Sequence, residues 1–237
     1  PLSEETIKEL CGYLKLEKKC VFQSLSPLDY SFMNGIKDYL RDKKEAFYEK
    51  RRGKYPVMLE KGFVLPQIEK KDILLSYPYE TMEPFIRMLR EASEDEEVVA
   101  IQMTLYRLAK NSQVVETLIY AAENGKEVDV LVELKARFDE ENNINWSRKL
   151  EEAGCNVTYG LDGLKVHSKL CLITKRTQDG VRYITHIGTG NYNETTACLY
   201  TDLSILTANQ NIGRQVAEVF WNIFLGETIK EAKDLLV

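Results

Sequence analysis

Val98-Val99-Ala100-Ile101-Gln102-Met103-Thr104-Leu105-Tyr106 is a β-rich run, and the alternation of elements downstream of it sets the fold class. Val115, Leu118, Ile119 and Ala122 recur at helical spacing, and Asn124-Gly125 supplies the stop. Residues 127–134 are strand-like, a helix is expected over about 140–152 up to Gly154, and 156–159 is a short strand. This alternation predicts an α/β sheet with parallel βαβ units flanked by helices. Further on, strands are expected over about 166–175 and 181–187, joined as a hairpin by Thr177-Gln178-Asp179-Gly180. A strand over about 202–207 and a helix with Val216, Val219, Phe220 and Ile223 on one face come next. Upstream, Met82, Phe85, Ile86 and Leu89 mark another helical face.

Residues 1–55 read differently. Ile7, Leu10, Cys11 and Leu14 fall on one face of a helix with Ser3 as its N-cap. A break at 24–27 precedes a second helix over about 29–40. Residues 37–54 carry eight basic and four acidic side chains. That stretch reads as a solvated helix and linker, or as an approach surface for an anion. Pro56 and Pro66 punctuate an irregular connection. The expected organisation is a helical segment of a neighbouring domain over 1–55, a linker over 56–69, and the α/β domain over 70–237.

The 237 residues are 44% hydrophobic and 29% charged, which excludes disordered, collagen-like and low-complexity classes. No apolar run is long enough for a transmembrane helix. The chain opens on Pro1 with no Met and no secretory signal, so an internal fragment is expected. Five cysteines, an odd number without CxxC spacing, argue against a disulfide framework and a structural zinc site. Cys155 and Cys171 sit in apolar runs and are expected as buried thiols. Reduced thiols point to the cytoplasm, with peripheral membrane association left open. A net charge of −5 argues against a general nucleic-acid binder, although a local basic pocket can still hold a polyanion.

The chain has only two histidines, and each lies in a segment with chemistry in it. In Lys165-Val166-His167-Ser168-Lys169-Leu170, read as a strand, Lys165, His167 and Lys169 point to one face, about 6.6–6.8 Å apart along it. A neutral imidazole is a good nucleophile near pH 7. Two ammonium groups beside it suit phosphoryl transfer and keep the imidazole neutral. In His186-Ile187-Gly188-Thr189-Gly190-Asn191-Tyr192-Asn193, glycines permit close approach of backbone N–H groups to an anion, and Thr189, Asn191 and Asn193 add hydrogen bonds. The plain alternatives are a structural histidine and a tight turn.

Together, HxK and the Gly-Thr-Gly-Asn loop after it resemble the half-site of the phospholipase D superfamily, except that Thr174 stands where its trailing Asp is expected. The closer resemblance is to the histidine-phosphorylating polyphosphate kinases. It is carried by 26–29, 72–80, Met103-Thr104-Leu105-Tyr106-Arg107, 121–126, 132–142, Gly163 through Lys169, His186 through Asn193, and Leu199-Tyr200-Thr201-Asp202-Leu203. The resemblance implies a phospholipase D-like sheet and reversible, Mg²⁺-dependent transfer of the ATP terminal phosphoryl group to polyphosphate through a phosphohistidine. His167 matches the nucleophile, with Lys169 beside it. His186 matches a second histidine in the loop segment, for acid/base work or phosphate orientation. Arg107 and Arg137 match arginines of the Mg²⁺ site. A guanidinium is a poor metal ligand, so phosphate clamps beside the ion are the physical expectation, with a surface salt bridge as the plain alternative. Tyr200 matches a nucleotide-contacting tyrosine, against a core aromatic. Lys165, Lys135 and Asn191 are further phosphate candidates. Glu133, Asp139, Glu140 and Glu141 either hold Mg²⁺ through water or form a solvated helix start.

The resemblance also implies partners: ATP or ADP, polyphosphate, a missing C-terminal catalytic half, and self-association of the full-length protein, with no nucleic acid. A half-site alone is expected to be weak or inactive. A phospholipase D-like phosphodiesterase and a non-catalytic polyanion-binding module are the alternative readings.

Overall fold

The computed structural model describes residues 2–22, 24, 29–49, 52–59, 62–133, 140–160, 163, 165–228 and 232–235. The chain divides into two compact units, Pro1–Lys50 and Arg51–Val237. In the first, α1 (Glu4–Leu14) starts where Ser3 Oγ accepts the Thr6 N–H at 3.2 Å, as its N-cap spacing predicts. Helix α2 (Phe32–Tyr39) begins three residues later than expected, because the Asp29 carboxylate folds onto the Ser31 N–H instead. No residue of α1 or α2 is buried. The solvated helix expected after residue 40 is not formed among the described residues beyond one 3₁₀ turn, Lys44–Ala46.

The second unit is built on a seven-stranded sheet. Its strands are β1 (Ile73–Tyr77), β2 (Val98–Leu105), β3 (Glu127–Val132), β4 (Asn156–Tyr159), β5 (Leu170–Thr177), β6 (Gly180–Gly188) and β7 (Asp202–Thr207), in the order β1-β7-β6-β5-β2-β3-β4. The expected parallel βαβ units are β2, β3 and β4, and the expected hairpin is β5 with β6. The pairings β2–β5, β5–β6, β6–β7 and β7–β1 are antiparallel. Hairpin geometry explains β5 and β6, since a two-residue turn cannot return a strand in parallel. Strand β1 has no counterpart in the sequence expectations. It is five residues long, and its partner β7 lies at the far end of the chain.

Helices α4 (Glu83–Glu94), α5 (Gln113–Glu123) and α6 (Glu140–Glu152) share one core with β1, the inward residues Ile101, Met103 and Leu105 of β2, and Cys171 and Ile173 of β5. Helix α7 (Gln210–Phe224) lays Val216, Val219, Phe220 and Ile223 on Leu131, Leu170 and Leu172, in a second cluster. Each such buried side chain contributes about 1.5–3 kcal/mol. Residues 56–69, expected as a linker, belong in part to the first core. Helix α3 (Leu65–Lys70) buries Leu65 and Ile68, and the Glu91 carboxylate of α4 caps it by accepting the Val64 and Leu65 N–H groups at 2.7 and 2.9 Å. Cys155 and Cys171 are buried free thiols. No described helix is long and apolar enough to cross a membrane.

Candidate active site

The sheet gathers the candidate residues at one end. There β2, β3 and β6 finish while β5 and β7 begin. Open α/β sheets bind ligands at the carboxyl ends of their strands. Residues 165–169 lie just before β5 and are not themselves strand, and Lys169 is buried while Lys165 and His167 are exposed. Thr104 is the reason the segment is not strand. Its buried hydroxyl donates to the Ser168 carbonyl at 2.8 Å and accepts the Leu170 N–H at 3.0 Å. A side chain thus stands in for the β2–β5 ladder, which ends at Met103 opposite Cys171. The buried Glu133 carboxylate accepts the Val166 N–H at 3.3 Å, and the Val166 side chain joins the second core cluster. The Lys169 carbonyl accepts the Gly188 N–H at 3.0 Å.

On this anchored segment His167 is exposed. Its ring meets Tyr106 edge-on, centroids 4.9 Å apart and planes at 81°. Partial burial, then the charges of Lys169 and Arg107, push its pKa below the ordinary value. Lys169 is buried at 4% exposure. Its ammonium donates to the His167 carbonyl and stands 5.2 Å from the centre of the Tyr106 ring. Burial lowers its pKa to about 8, against an opposing pull from the Asp202 carboxylate. The structure therefore brings His167, Lys169 and Arg107 together. Chemically, a neutral imidazole beside two cations is suited to attack an anionic centre.

The other candidates divide. Asn191 is half-buried, and its Oδ1 is buried without a hydrogen-bond partner. Lys165 is exposed. Tyr200 is 61% exposed, which removes the core-aromatic reading. Arg137, Lys135 and Asp139 lie outside the described residues. Glu140 and Glu141 are exposed in the first turn of α6, where carboxylates suit the helix dipole.

His186 lies inside β6, in the strand expected over 181–187, and not in the loop that follows it, under the helical layer. It is 2% exposed, 4.4 Å from the Phe85 ring, with Nδ1 2.9 Å from the Tyr192 hydroxyl and Nε2 unpartnered. Burial drives its pKa down to about 3, so it is neutral near pH 7 and packed as a core side chain.

Much of the loop expected to cradle an anion is already engaged. The Gly188 and Thr189 N–H groups bond the Lys169 and Leu203 carbonyls. Thr189 Oγ1 donates to Asp202 at 2.7 Å, and Asn193 Oδ1 accepts the Thr195 and Thr196 N–H groups, each at 3.0 Å. Gly190 is required for packing, since a Cβ there would stand 2.5 Å from Asp202 Oδ2.

Sequence reasoning does not single out Thr104, Asp202 or Tyr106 for the site, and it weighs Glu133 only as a water-mediated metal ligand. The available signals are the adjacency of Tyr106 to Arg107 and the polar Thr104 between the apolar Met103 and Leu105. Among the described residues no group of three His, Cys, Asp or Glu side chains is placed to hold a metal ion. A guanidinium adds no metal ligand, so the chemistry of Arg107 suits a phosphate and not a cation.

Comparison with known proteins fits this geometry. The family described as polyphosphate kinase C-terminal domain 1 matches residues 63–228. The polyphosphate kinase of Staphylococcus epidermidis is 42% identical over 235 residues, 99% of this chain and 32% of that protein. That of Salmonella typhimurium is 52% identical over 153 residues, 65% of this chain and 22% of that protein. The chain thus spans about a third or less of the curated relatives it matches. The crystal structure of polyphosphate kinase from Porphyromonas gingivalis superposes with a TM-score of 0.67 at 38% identity, covering 78% of this chain and 31% of that one. Nuc from Salmonella typhimurium, a phospholipase D family member, superposes at a TM-score of 0.53 with 10% identity, over 68% of this chain and 99% of its own, a likeness of fold. With the family match running from before α3 to beyond α7, the chain belongs to the polyphosphate kinase family, as its C-terminal domain 1.

Proposed function

We propose that this chain supplies one half of a site that moves the terminal phosphoryl group of ATP reversibly to inorganic polyphosphate, through a phosphohistidine on His167. The observation that carries this reading is the exposed imidazole of lowered basicity with Lys169 and Arg107 beside it. In the forward direction an imidazole nitrogen attacks the γ-phosphorus, the bond from that phosphorus to the bridging oxygen breaks, and ADP leaves. A terminal polyphosphate oxygen then attacks the phosphorus, the P–N bond breaks, and the chain is one unit longer. Lys169 and Arg107 balance the charge spread over the transferring oxygens. Asn191, Lys165, Arg137 and Tyr200 are assigned to phosphate and nucleotide contacts. Mg²⁺ enters this proposal as a companion of the nucleotide phosphates. His186 serves the site by packing beneath it. A cytoplasmic setting supplies ATP and suits the free thiols, and the full-length protein is expected to self-associate.

The test is incubation with Mg²⁺ and γ-labelled ATP, or labelled polyphosphate. It is run on the chain alone and with the remaining two-thirds of a full-length relative supplied in trans. We expect base-stable, acid-labile label on His167, weak or absent in the chain alone and strong after addition, and absent from His167→Ala. A remote half completes a preorganised site, so its loss removes much of the catalysis. No label in either condition, with polyphosphate still retained, would leave a binding module. Cleavage of a phosphodiester substrate would instead favour a phospholipase D-like activity.

A further inference from the structure

We propose that Tyr106 is a positioning residue for the reaction, its ring serving as a wall that holds the His167 imidazole edge-on and covers the Lys169 ammonium. This rests on His167 being the nucleophile. Two contacts converge on one ring: the His167 ring at 4.9 Å and the Lys169 ammonium at 5.2 Å. His167 sits in a segment without strand pairing and is exposed, so its ring has no layer of core packing to select a rotamer. Tyr106 supplies a half-buried aromatic surface on one side, and its ring belongs to neither core cluster.

The backbone that carries this ring is held from behind. Asn143 Nδ2 of α6 donates to the Tyr106 carbonyl at 2.8 Å and to the Glu133 carbonyl at 3.2 Å, tying together the chain just past β2 and β3. Asn142 Nδ2 donates to the Leu108 carbonyl and Trp146 Nε1 to the Ala109 carbonyl, each at 2.9 Å. Three side chains of one helix thus fix residues 106–109, an otherwise irregular turn that also carries Arg107. A nucleophile must meet phosphorus along a narrow approach, and misplacement by about 1 Å can cost about a hundredfold in rate.

Tyr106→Leu and Tyr106→Phe test this with two readouts. The first is the proton spectrum of the imidazoles in this 237-residue chain, which has only two histidines. Tyr106→Leu should move the His167 ring signals toward those of a free histidine, by loss of the aromatic ring current. The His186 signals, set by Phe85 and Tyr192, should stay in place and report an intact fold. Tyr106→Phe should leave both sets close to their original positions.

The second readout is the rate of phosphoramidate formation against ATP concentration, with the remainder of a full-length relative in trans. Tyr106→Leu should lower kcat about ten- to a hundredfold with little change in KM. Tyr106→Phe should match the unsubstituted chain. The inference is overturned if Tyr106→Leu leaves the His167 signals unmoved or kcat intact. It is equally overturned if the loss lies in KM alone, or if Tyr106→Phe loses as much as Tyr106→Leu. Absence of phosphoramidate from the unsubstituted chain would instead defeat the phosphohistidine reading, while the spectra still decide whether Tyr106 restrains His167.

Discussion

His167 and Lys169 must be in opposite protonation states for the proposed reaction, the imidazole neutral and the amine charged. Burial and neighbouring cations hold His167 below its ordinary pKa of 6.5, so it is neutral through the physiological range. Burial brings Lys169 down to about 8, so it remains mostly an ammonium at pH 7 and loses its proton just above. The two shifts open a window. The initial rate of phosphoramidate formation should be near its maximum around neutral pH and fall to about half by pH 8 as Lys169 deprotonates. A rate that stays level through pH 10 would mean the ammonium is not required. Lys169 is legible in the sequence as a candidate because it lies two residues after His167. Its low pKa is not, because burial is set by Tyr106 and by the sheet end that folds around it.

Among the elements, α7 shows how tightly the layers constrain one another. Gly213 lies in its first turn, packed on Tyr183 of β6, and an added Cβ would come within 2.4 Å of Tyr183 Cβ. Helix propensity alone favours Gly213→Ala by about 1 kcal/mol. The clash opposes it, and because the nearest atom is a side chain's root rather than its flexible end, the helix must move off the sheet. Overpacking of this kind costs about 1–3 kcal/mol, so the net change in urea unfolding should be destabilising. A stabilised variant would show that α7 shifts freely. The periodicity of Val216, Val219, Phe220 and Ile223 announces the helix in the sequence, and α6, β4 and β7 likewise fall where their patterns put them. The segment before β5 does not. Its apolar residues Val166 and Leu170 alternate like a strand, and only the Thr104 hydroxyl, 64 residues away in sequence from Ser168, decides that the ladder stops short.

Among the described residues, the second unit has a core and the first has none. In the first unit no residue of α1 or α2 is buried, and Tyr13, Phe22 and Tyr39 are each more than four-fifths exposed. A helix without a buried face has little beyond its own marginal propensity to hold it. Amide exchange should therefore be complete early across 4–14 and 32–39, while β2, β5 and β6 exchange only with global unfolding. Slow exchange in α1 or α2 would contradict this. Taken alone, the sequence determined the α/β character, the positions of most elements and the pairing of HxK with a Gly-Thr-Gly-Asn loop, because periodicity and turn chemistry are local. Tertiary structure decided which chemistry those residues retain. It drew His186 into the core, engaged Thr189 and Asn193 in the fold, and left His167 exposed between Tyr106, Lys169 and Arg107. Burial, charge proximity and exposure depend on which strands meet, and β1 with β7 or β2 with β5 are joined by contacts that no local pattern contains.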